Sequence, residues 1–142
     1  MKIHLPFAPV ACPRPKISMR GKTPVAYYPQ KYTTFRNNVK TWISNNYPEA
    51  MFSADSILYL HYTFVLPRPK SLMRKKDPQG RIPHSKKPDL DNLVKSVNDA
   101  FEGLVFAQDS HVQMILAHKW IAAKDEKPSI EVIVEEISYE NT

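Results

Sequence analysis

Three carboxylates and one lysine between residues 89 and 109 have the types and spacing that metal-assisted chemistry requires. Asp89 and Asp91 stand one residue apart at the predicted start of a helix, and Lys95 follows four residues after Asp91. Residues four apart share one face of a helix, so Asp91 and Lys95 are predicted neighbours. Asp109 lies beyond the short connection FEGLVFAQ, whose length favours a return beside the helix start. We therefore expect the three carboxylates to converge.

Such a group of acids suits a hard divalent cation. Mg²⁺ typically takes one or two carboxylates, and water and substrate phosphate complete its octahedron; Mn²⁺, which favours the same ligands, can substitute. A metal ion held there would polarise a phosphate and activate water, while Lys95 would steady the phosphate or orient the water. The predicted chemistry is hydrolysis of a phosphodiester.

The same residues have plainer interpretations. Asp89 and Asp91 could only cap the helix. Lys95 could only form an i,i+4 ion pair, and Asp109 could be a turn residue. The D-x-D pattern is common, and nucleotide-sugar transferases also use it to hold a metal and a diphosphate. That class is disfavoured because the chain is short and its three glycines form no phosphate-binding loop. A calcium loop is disfavoured because DLDNLVKS lacks the central glycine and the terminal glutamate.

Positive charge is concentrated just before these acids. Between Pro67 and Lys87 the chain has eight basic residues and one acid, Asp77, a local charge of +7, whereas the whole chain carries +6. A local excess favours a polyanionic partner, although a passive solvated loop is the alternative. A smaller basic patch precedes the first predicted helix. The predicted DNA contacts are Arg14, Lys16, Arg68, Lys70, Arg74, Lys75, Lys76, Lys86 and Lys87.

Composition and length predict one globular domain over residues 1–142, since 42% of the residues are hydrophobic and 24% are charged. The proline-interrupted N-terminal stretch predicts neither a signal peptide nor a membrane span, so a cytoplasmic protein is expected. The single cysteine, Cys12, is expected to be a small apolar filler. The five histidines show no metal-binding spacing, and His111, two residues after Asp109, is the one that could approach a phosphate.

Hydrophobic periodicity predicts an α+β fold in which helices flank a mixed or antiparallel sheet. Strands are expected at residues 2–7, 56–66, 111–122 and 129–137, with an irregular strand or hairpin in PRPKISMRGK. Helices are expected at residues 30–46 and from Asp89 or Asp91 to about Glu102, and a short helical turn near residues 71–76. Two apolar stripes should face the core: Tyr32, Phe35, Val39, Trp42 and Ile43, and Leu93, Val97, Ala100, Phe101 and Leu104. Tyr32 and Trp42 could instead stack on nucleobases.

The pattern around the carboxylates resembles the RusA family of Holliday-junction resolvases. The matching residues are D-x-D-N-x-x-K, a D-A pair, and an acid followed by valine: Asp89, Asp91, Asn92, Lys95, Asp99, Ala100, Asp109 and Val112. The N-terminal PFAPVACPRPKISMRGKTP is similar to the opening of phage-type members. The chain departs from the pattern at one place, because many members carry two adjacent acids where it has Gln108 and Asp109.

The resemblance implies a homodimeric, magnesium-dependent crossover junction endodeoxyribonuclease that makes paired nicks in four-way DNA junctions during recombination and repair. By position, Asp89, Asp91 and Asp109 would be metal ligands and Lys95 the catalytic lysine. Two equivalent sites about a two-fold axis suit a pseudo-symmetric junction. The alternative is a non-catalytic nucleic-acid-binding module with structural acids, since the basic segment alone would explain DNA binding.

Overall fold

Seven strands and two α-helices make up the described part of the chain. The structure is a computed structural model that describes residues 1–138. The helices are α1 (Gln30–Asn46) and α2 (Leu90–Phe101). The strands are β1 (Lys2–Leu5), β2 (Lys16–Arg20), β3 (Thr23–Tyr27), β4 (Leu58–Leu66), β5 (Ile82–Pro83), β6 (Val112–Ile121) and β7 (Ser129–Glu136). Single 3₁₀ turns occupy Lys70–Leu72 and Asp109–His111.

Five of the strands form one mixed sheet in the order β1-β7-β4-β6-β5. The central pair β4 and β6 runs parallel, and the other neighbours run antiparallel. β2 and β3 form a separate exposed hairpin. This arrangement confirms the predicted α+β class and the predicted hairpin. The two-residue strand β5 was not predicted, because a proline-containing pair carries no alternating pattern.

Both helices cover one face of the sheet, where alternate residues of β4 are buried. α1 begins and ends where the hydrophobic pattern predicts, and Tyr32, Phe35, Val39 and Ile43 are buried. Trp42 is half-buried, and its indole N–H donates to the carbonyl oxygen of His4 at 2.8 Å. The aromatic stripe of α1 is therefore core, as expected, and does not offer a stacking platform for bases.

α2 runs antiparallel to β6, and this direction determines where the site residues lie. The tight connection of residues 102–108 brings the start of β6 next to the end of α2. At the other end of α2, the ammonium of Lys119 on β6 donates to the carbonyl oxygen of Pro88 at 2.6 Å. Between these ends, Leu90 and Val94 share a groove with residues 115–117 of β6.

Within residues 1–138 there is no helix with the length and apolar character needed to cross a bilayer.

The face of β6 that points away from the helices carries a hydrogen-bonded histidine, His118. Its Nδ1 accepts the indole N–H of Trp120 at 2.8 Å, and its Nε2 lies 2.8 Å from Thr63 Oγ1 and 3.2 Å from His61 Nε2. Accepting at Nδ1 requires the neutral ring. Burial lowers the pKa of His118, and the nearby His61 and Arg81 lower it further.

Acidification is expected to destabilise the protein partly through this histidine. The folded-state pKa of His118 lies below the unfolded value of about 6.5. The unfolded chain therefore binds more protons as the pH falls through about 6.5, and stability decreases. The melting temperature measured from pH 8 to pH 5 should fall less steeply in His118→Gln than in the parent protein. Equal slopes would show that His118 is not protonated on unfolding.

Candidate active site

A cleft of about 1030 Å³ lies between the N-terminal segment and the first turn of α2. It brings together two of the three predicted carboxylates, the predicted lysine, and two of the predicted DNA-contacting cations. The polar and aromatic side chains that line it are Cys12, Arg14, Tyr28, Lys87, Asp89, Asp91, Asn92 and Lys95. Cys12, Tyr28 and Asn92 had no assigned place in a site, because no sequence pattern joins residues 12 and 28 to α2.

The two carboxylates of the cleft belong to the residue that caps α2 and to its first turn. Asp89 is the N-cap residue, yet its side chain makes no capping hydrogen bond. Asp91 Oδ1 accepts the backbone N–H of Asn92 at 3.0 Å. The partial positive charge at a helix N-terminus stabilises acids placed there. The side chain of Asp89 is therefore not used in the helix cap.

The first turn is held between two backbone contacts. The N–H of Cys12 donates to the carbonyl oxygen of Asn92 at 2.9 Å, which fixes the N-terminal wall of the cleft to α2. Lys119 donates to the carbonyl oxygens of Pro88 and Lys86, which fixes the segment before α2 to β6. Lys119 therefore positions the carboxylates without contacting them, a role that its place in a strand pattern did not indicate.

Lys95 is oriented by Asp99, which lies one helical turn after it, whereas Asp91 lies one turn before it. Its Nζ lies 3.8 Å from Asp99 Oδ2, one turn further along α2. The same carboxylate oxygen accepts the phenol O–H of Tyr32 at 3.0 Å. Burial raises the pKa of Tyr32, with Cys12 and Asp99 adding to the shift, so the phenol stays a neutral donor. Lys95 and Asp91 share the cleft as predicted, but the ion pair of Lys95 is with Asp99.

Asp109 does not join Asp89 and Asp91 within one protomer. Its N–H donates to Glu102 Oε1 at 3.0 Å, and Glu102 directly follows α2. The 12 residues of α2 span about 18 Å, so Asp109 lies at the opposite end of the helix from Asp89. The expected convergence inside one chain is wrong, because a short connection returns the chain beside the end of a helix rather than its start. Across residues 1–138, no three His, Cys, Asp or Glu side chains form a group that could hold a metal ion.

The pair Asp89 and Asp91 nevertheless fits Mg²⁺. Both side chains are exposed in the same cleft, and neither forms a salt bridge with a cation of the described chain. Mg²⁺ is commonly held by one or two carboxylates and keeps several waters. The chemistry and number of these donors match that requirement. The metal-binding role of Asp109 stays a prediction.

Three arginines of the basic segment are used inside the protein. Arg68 donates to the carbonyl oxygens of Leu72, Pro78, Gly80 and Ala122 at 2.6–3.3 Å. Arg74 pairs with Asp77, and Arg81 forms a two-oxygen pair with Glu126. The guanidinium of Arg68 ties the loop to the strand end at Ala122, and its contact with DNA stays a prediction. Arg74 is exposed, and it contacts Asp77 through its backbone N–H and its Nε.

The lysines of this segment form no ion pair with an acid in the described part of the chain. They are exposed, as are the two basic residues of the N-terminal patch, so the surface available to a polyanion is mainly lysine. These cations are Lys70, Lys75, Lys76, Lys86 and Lys87, with Arg14 and Lys16.

Replacing Arg68 is expected to loosen the loop of residues 68–81. Lysine at this position keeps the charge but cannot make several directed hydrogen bonds at once. Arg68→Lys should therefore increase amide hydrogen exchange in the loop, whereas Lys70→Ala, which removes an exposed cation, should not. Exchange in Arg68→Lys equal to that in the parent protein would show that the hydrogen bonds from Arg68 to the carbonyls do not order the loop.

Two comparisons with known proteins find relatives of this chain. The family model described as "Endodeoxyribonuclease RusA" matches residues 6–135 of the 142. The chain is also 30% identical over 135 residues to "Uncharacterized protein YqaN" of Bacillus subtilis (strain 168), covering 92% of each protein. The match includes the cleft, the basic segment and the main-sheet strands β4, β5 and β6, with all of β7 except Glu136, and it begins directly after β1. The chain belongs to the RusA endodeoxyribonuclease family.

Proposed function

We propose that the protein is a magnesium-dependent, structure-selective endonuclease that resolves four-way DNA junctions. The observation that carries this proposal is the cleft in which Asp89, Asp91 and Lys95 meet Arg14 and Lys87. Carboxylates for a metal, a lysine for phosphate charge and cations for the DNA backbone are the parts that phosphodiester hydrolysis requires. Membership of an endodeoxyribonuclease family supports the same reaction class.

The residues of the cleft have different proposed roles, which follow from their chemistry. Asp89 and Asp91 would hold Mg²⁺, with Mn²⁺ as a substitute. When bound, the ion supplies Lewis-acid polarisation of the phosphate and an acidified water. Lys95, steadied by Asp99, offers an ammonium to the charge that develops on the phosphate oxygens. Arg14 and Lys87 line the same cleft and would align the DNA backbone.

Junction binding would rest on charge and shape. The exposed lysines contact phosphates without reading bases, so they position the duplex arms and make the affinity depend strongly on salt. A homodimer would present two equivalent clefts and could therefore nick two strands of one junction. We expect this activity in the cytoplasm, in DNA recombination and repair. A non-catalytic binding module is the rival function, since the same lysines would serve it. Cleavage in the presence of Mg²⁺ separates the two.

Asp91→Asn should abolish cleavage while leaving junction binding intact or stronger. The change removes one metal-binding charge and also reduces repulsion of the DNA backbone. Because changing a residue that only hydrogen-bonds to a metal ligand already costs about 10–100-fold, we expect loss of a ligand to cost more than about 100-fold. The measurement is nicking of a labelled four-way junction with Mg²⁺, beside a gel-shift measurement of affinity.

Asp55→Asn is the matched control, since Asp55 is an exposed acid before β4, remote in sequence from the cleft. It should cut at the parent rate. Cleavage by Asp91→Asn at the parent rate would remove Asp91 from the mechanism. Binding without any nick by the parent protein would favour the non-catalytic module.

Removing Lys75 and Lys76 together should weaken binding to all junction sequences equally. Each phosphate contact contributes about 0.9 to the slope of log K against log salt concentration, so the slope should become shallower by about 1–2. The double variant Lys75→Ala/Lys76→Ala is compared with Lys127→Ala, which removes an exposed cation elsewhere. An unchanged slope in the double variant would place the DNA on another surface.

A further inference from the structure

The β2–β3 hairpin stands apart from the main sheet. Among residues 1–138 its strands pair only with each other, and a two-residue connection joins the last pair, Arg20 and Thr23. Gly21 lies in that connection at φ 63°, a conformation that glycine adopts without strain. An isolated two-stranded hairpin is marginally stable in water, so this element gains little from its own pairing. The hairpin therefore has the form of an element that contacts a partner.

One face of the hairpin is entirely apolar and open to solvent. Residues paired across two antiparallel strands share a face, and the register pairs Ile17 with Ala26 and Met19 with Pro24. All four side chains are exposed, Ile17 by 72% and Met19 by 60%. We call these four residues the hairpin face. An exposed group of apolar side chains on one surface is typical of an interaction site.

The cations around the hairpin face indicate an anionic partner. Residues 14–28 carry four basic side chains and no acid. Alternation along β2 places Lys16 and Arg20 on the side opposite the hairpin face, and Lys22 lies in the turn. None of these three cations forms an ion pair within the described residues. A partner that suits this surface combines apolar area with negative charge, as DNA does through its bases and its phosphates.

Both ends of the hairpin run into the proposed active site. Arg14 and Pro15 precede β2, and Tyr28 follows β3. All three residues line the cleft that contains Asp89 and Asp91. DNA with a phosphate bound in the cleft would therefore lie beside the base of the hairpin. This continuity favours DNA as the partner over a membrane or another protein.

We propose that the hairpin face packs against bases left uncovered at the branch point of a DNA junction, and so distinguishes a junction from a continuous duplex. Stacking covers the faces of the bases in a duplex, whereas the stack is interrupted at a branch point. Isoleucine, methionine and proline are among the side chains that proteins insert between bases. Phosphate contacts position DNA without reading the bases, so the lysines do not supply this distinction by themselves. The inference rests on the proposed function for the identity of the substrate.

The two sides of the hairpin would contribute differently to binding. Apolar burial releases no counterions, so the hairpin face adds affinity without making that affinity more sensitive to salt. Each phosphate contact made by a cation instead adds about 0.9 to the slope of log K against log salt concentration. The two contributions can therefore be measured separately.

Selectivity is tested with Ile17→Thr/Met19→Thr, since threonine keeps the strand propensity and the charge but removes most of the apolar surface. Affinities for a four-way junction and for a linear duplex of equal length are measured by gel shift without divalent metal, so that no DNA is cut. Junction affinity should fall at least about tenfold, because full burial of one such side chain contributes about that much. Duplex affinity and the salt slope should be unchanged.

Three further variants serve as controls, and circular dichroism checks that each is folded. Ile17→Leu/Met19→Leu keeps the face apolar and should keep the preference for the junction. Met51→Thr removes a side chain that is 47% exposed outside the hairpin, and should match the parent protein. Lys22→Ala should weaken junction and duplex binding together and reduce the salt slope by about 0.9. An equal loss for junction and duplex in the threonine variant would overturn the inference.

Contact with the bases is measured with 2-aminopurine, a fluorescent adenine analogue that brightens when it is unstacked. Placed beside the branch point, it should brighten when the parent protein binds, and less when the threonine variant binds at saturation. Placed in the middle of a junction arm, it should respond to neither protein. Equal brightening at the branch point by both proteins would show that the hairpin face does not reach the bases.

The outcomes separate this inference from the proposed function. If the threonine variant binds the junction with parent affinity, the inference is overturned, and a parent protein that cuts the junction keeps its function. If the parent protein prefers the junction through the hairpin face but never cuts it with Mg²⁺, the nuclease function is removed and the inference stands. A parent protein with no preference for the junction would overturn the inference together with the structure selectivity of the proposed function.

Discussion

The antiparallel packing of α2 on β6 is the constraint on which the rest of the site depends. It places the N-terminus of α2 near the end of β6, and Lys119 fixes that alignment through the carbonyl oxygen of Pro88. It also moves the start of β6, and Asp109 with it, to the far end of the helix. One packing direction therefore assembles the pair Asp89 and Asp91 and separates it from the third acid.

The charges around this helix start offset one another. Two adjacent acids repel, and the helix N-terminus together with Arg14, Lys87 and Lys95 lowers that cost. The three arginines of the basic segment bond to backbone carbonyls, Asp77 and Glu126, and none of them pairs with the acids of the cleft. Arg68 holds the loop by backbone carbonyls, and Arg81 holds it to Glu126. The lysines of the segment are exposed to solvent, where they can bind a polyanion.

Local patterns predicted the elements well and the contacts between elements poorly. The stripe of α1 and the alternation of β4 are properties of neighbouring residues, and both elements lie where their patterns indicate. Only the helical side of the cleft could be predicted from the sequence. Asp89, Asp91 and Lys95 are close in sequence, so a helix suffices to bring them together. Cys12 and Lys119 act through tertiary contacts that no spacing reveals, as does the hydrogen bond from Tyr32 to Asp99. The ion pair of Lys95 with Asp99, in contrast, lies at the i,i+4 spacing of a helix. Asp109 was misplaced because the length of a connection does not specify the direction in which the next strand runs.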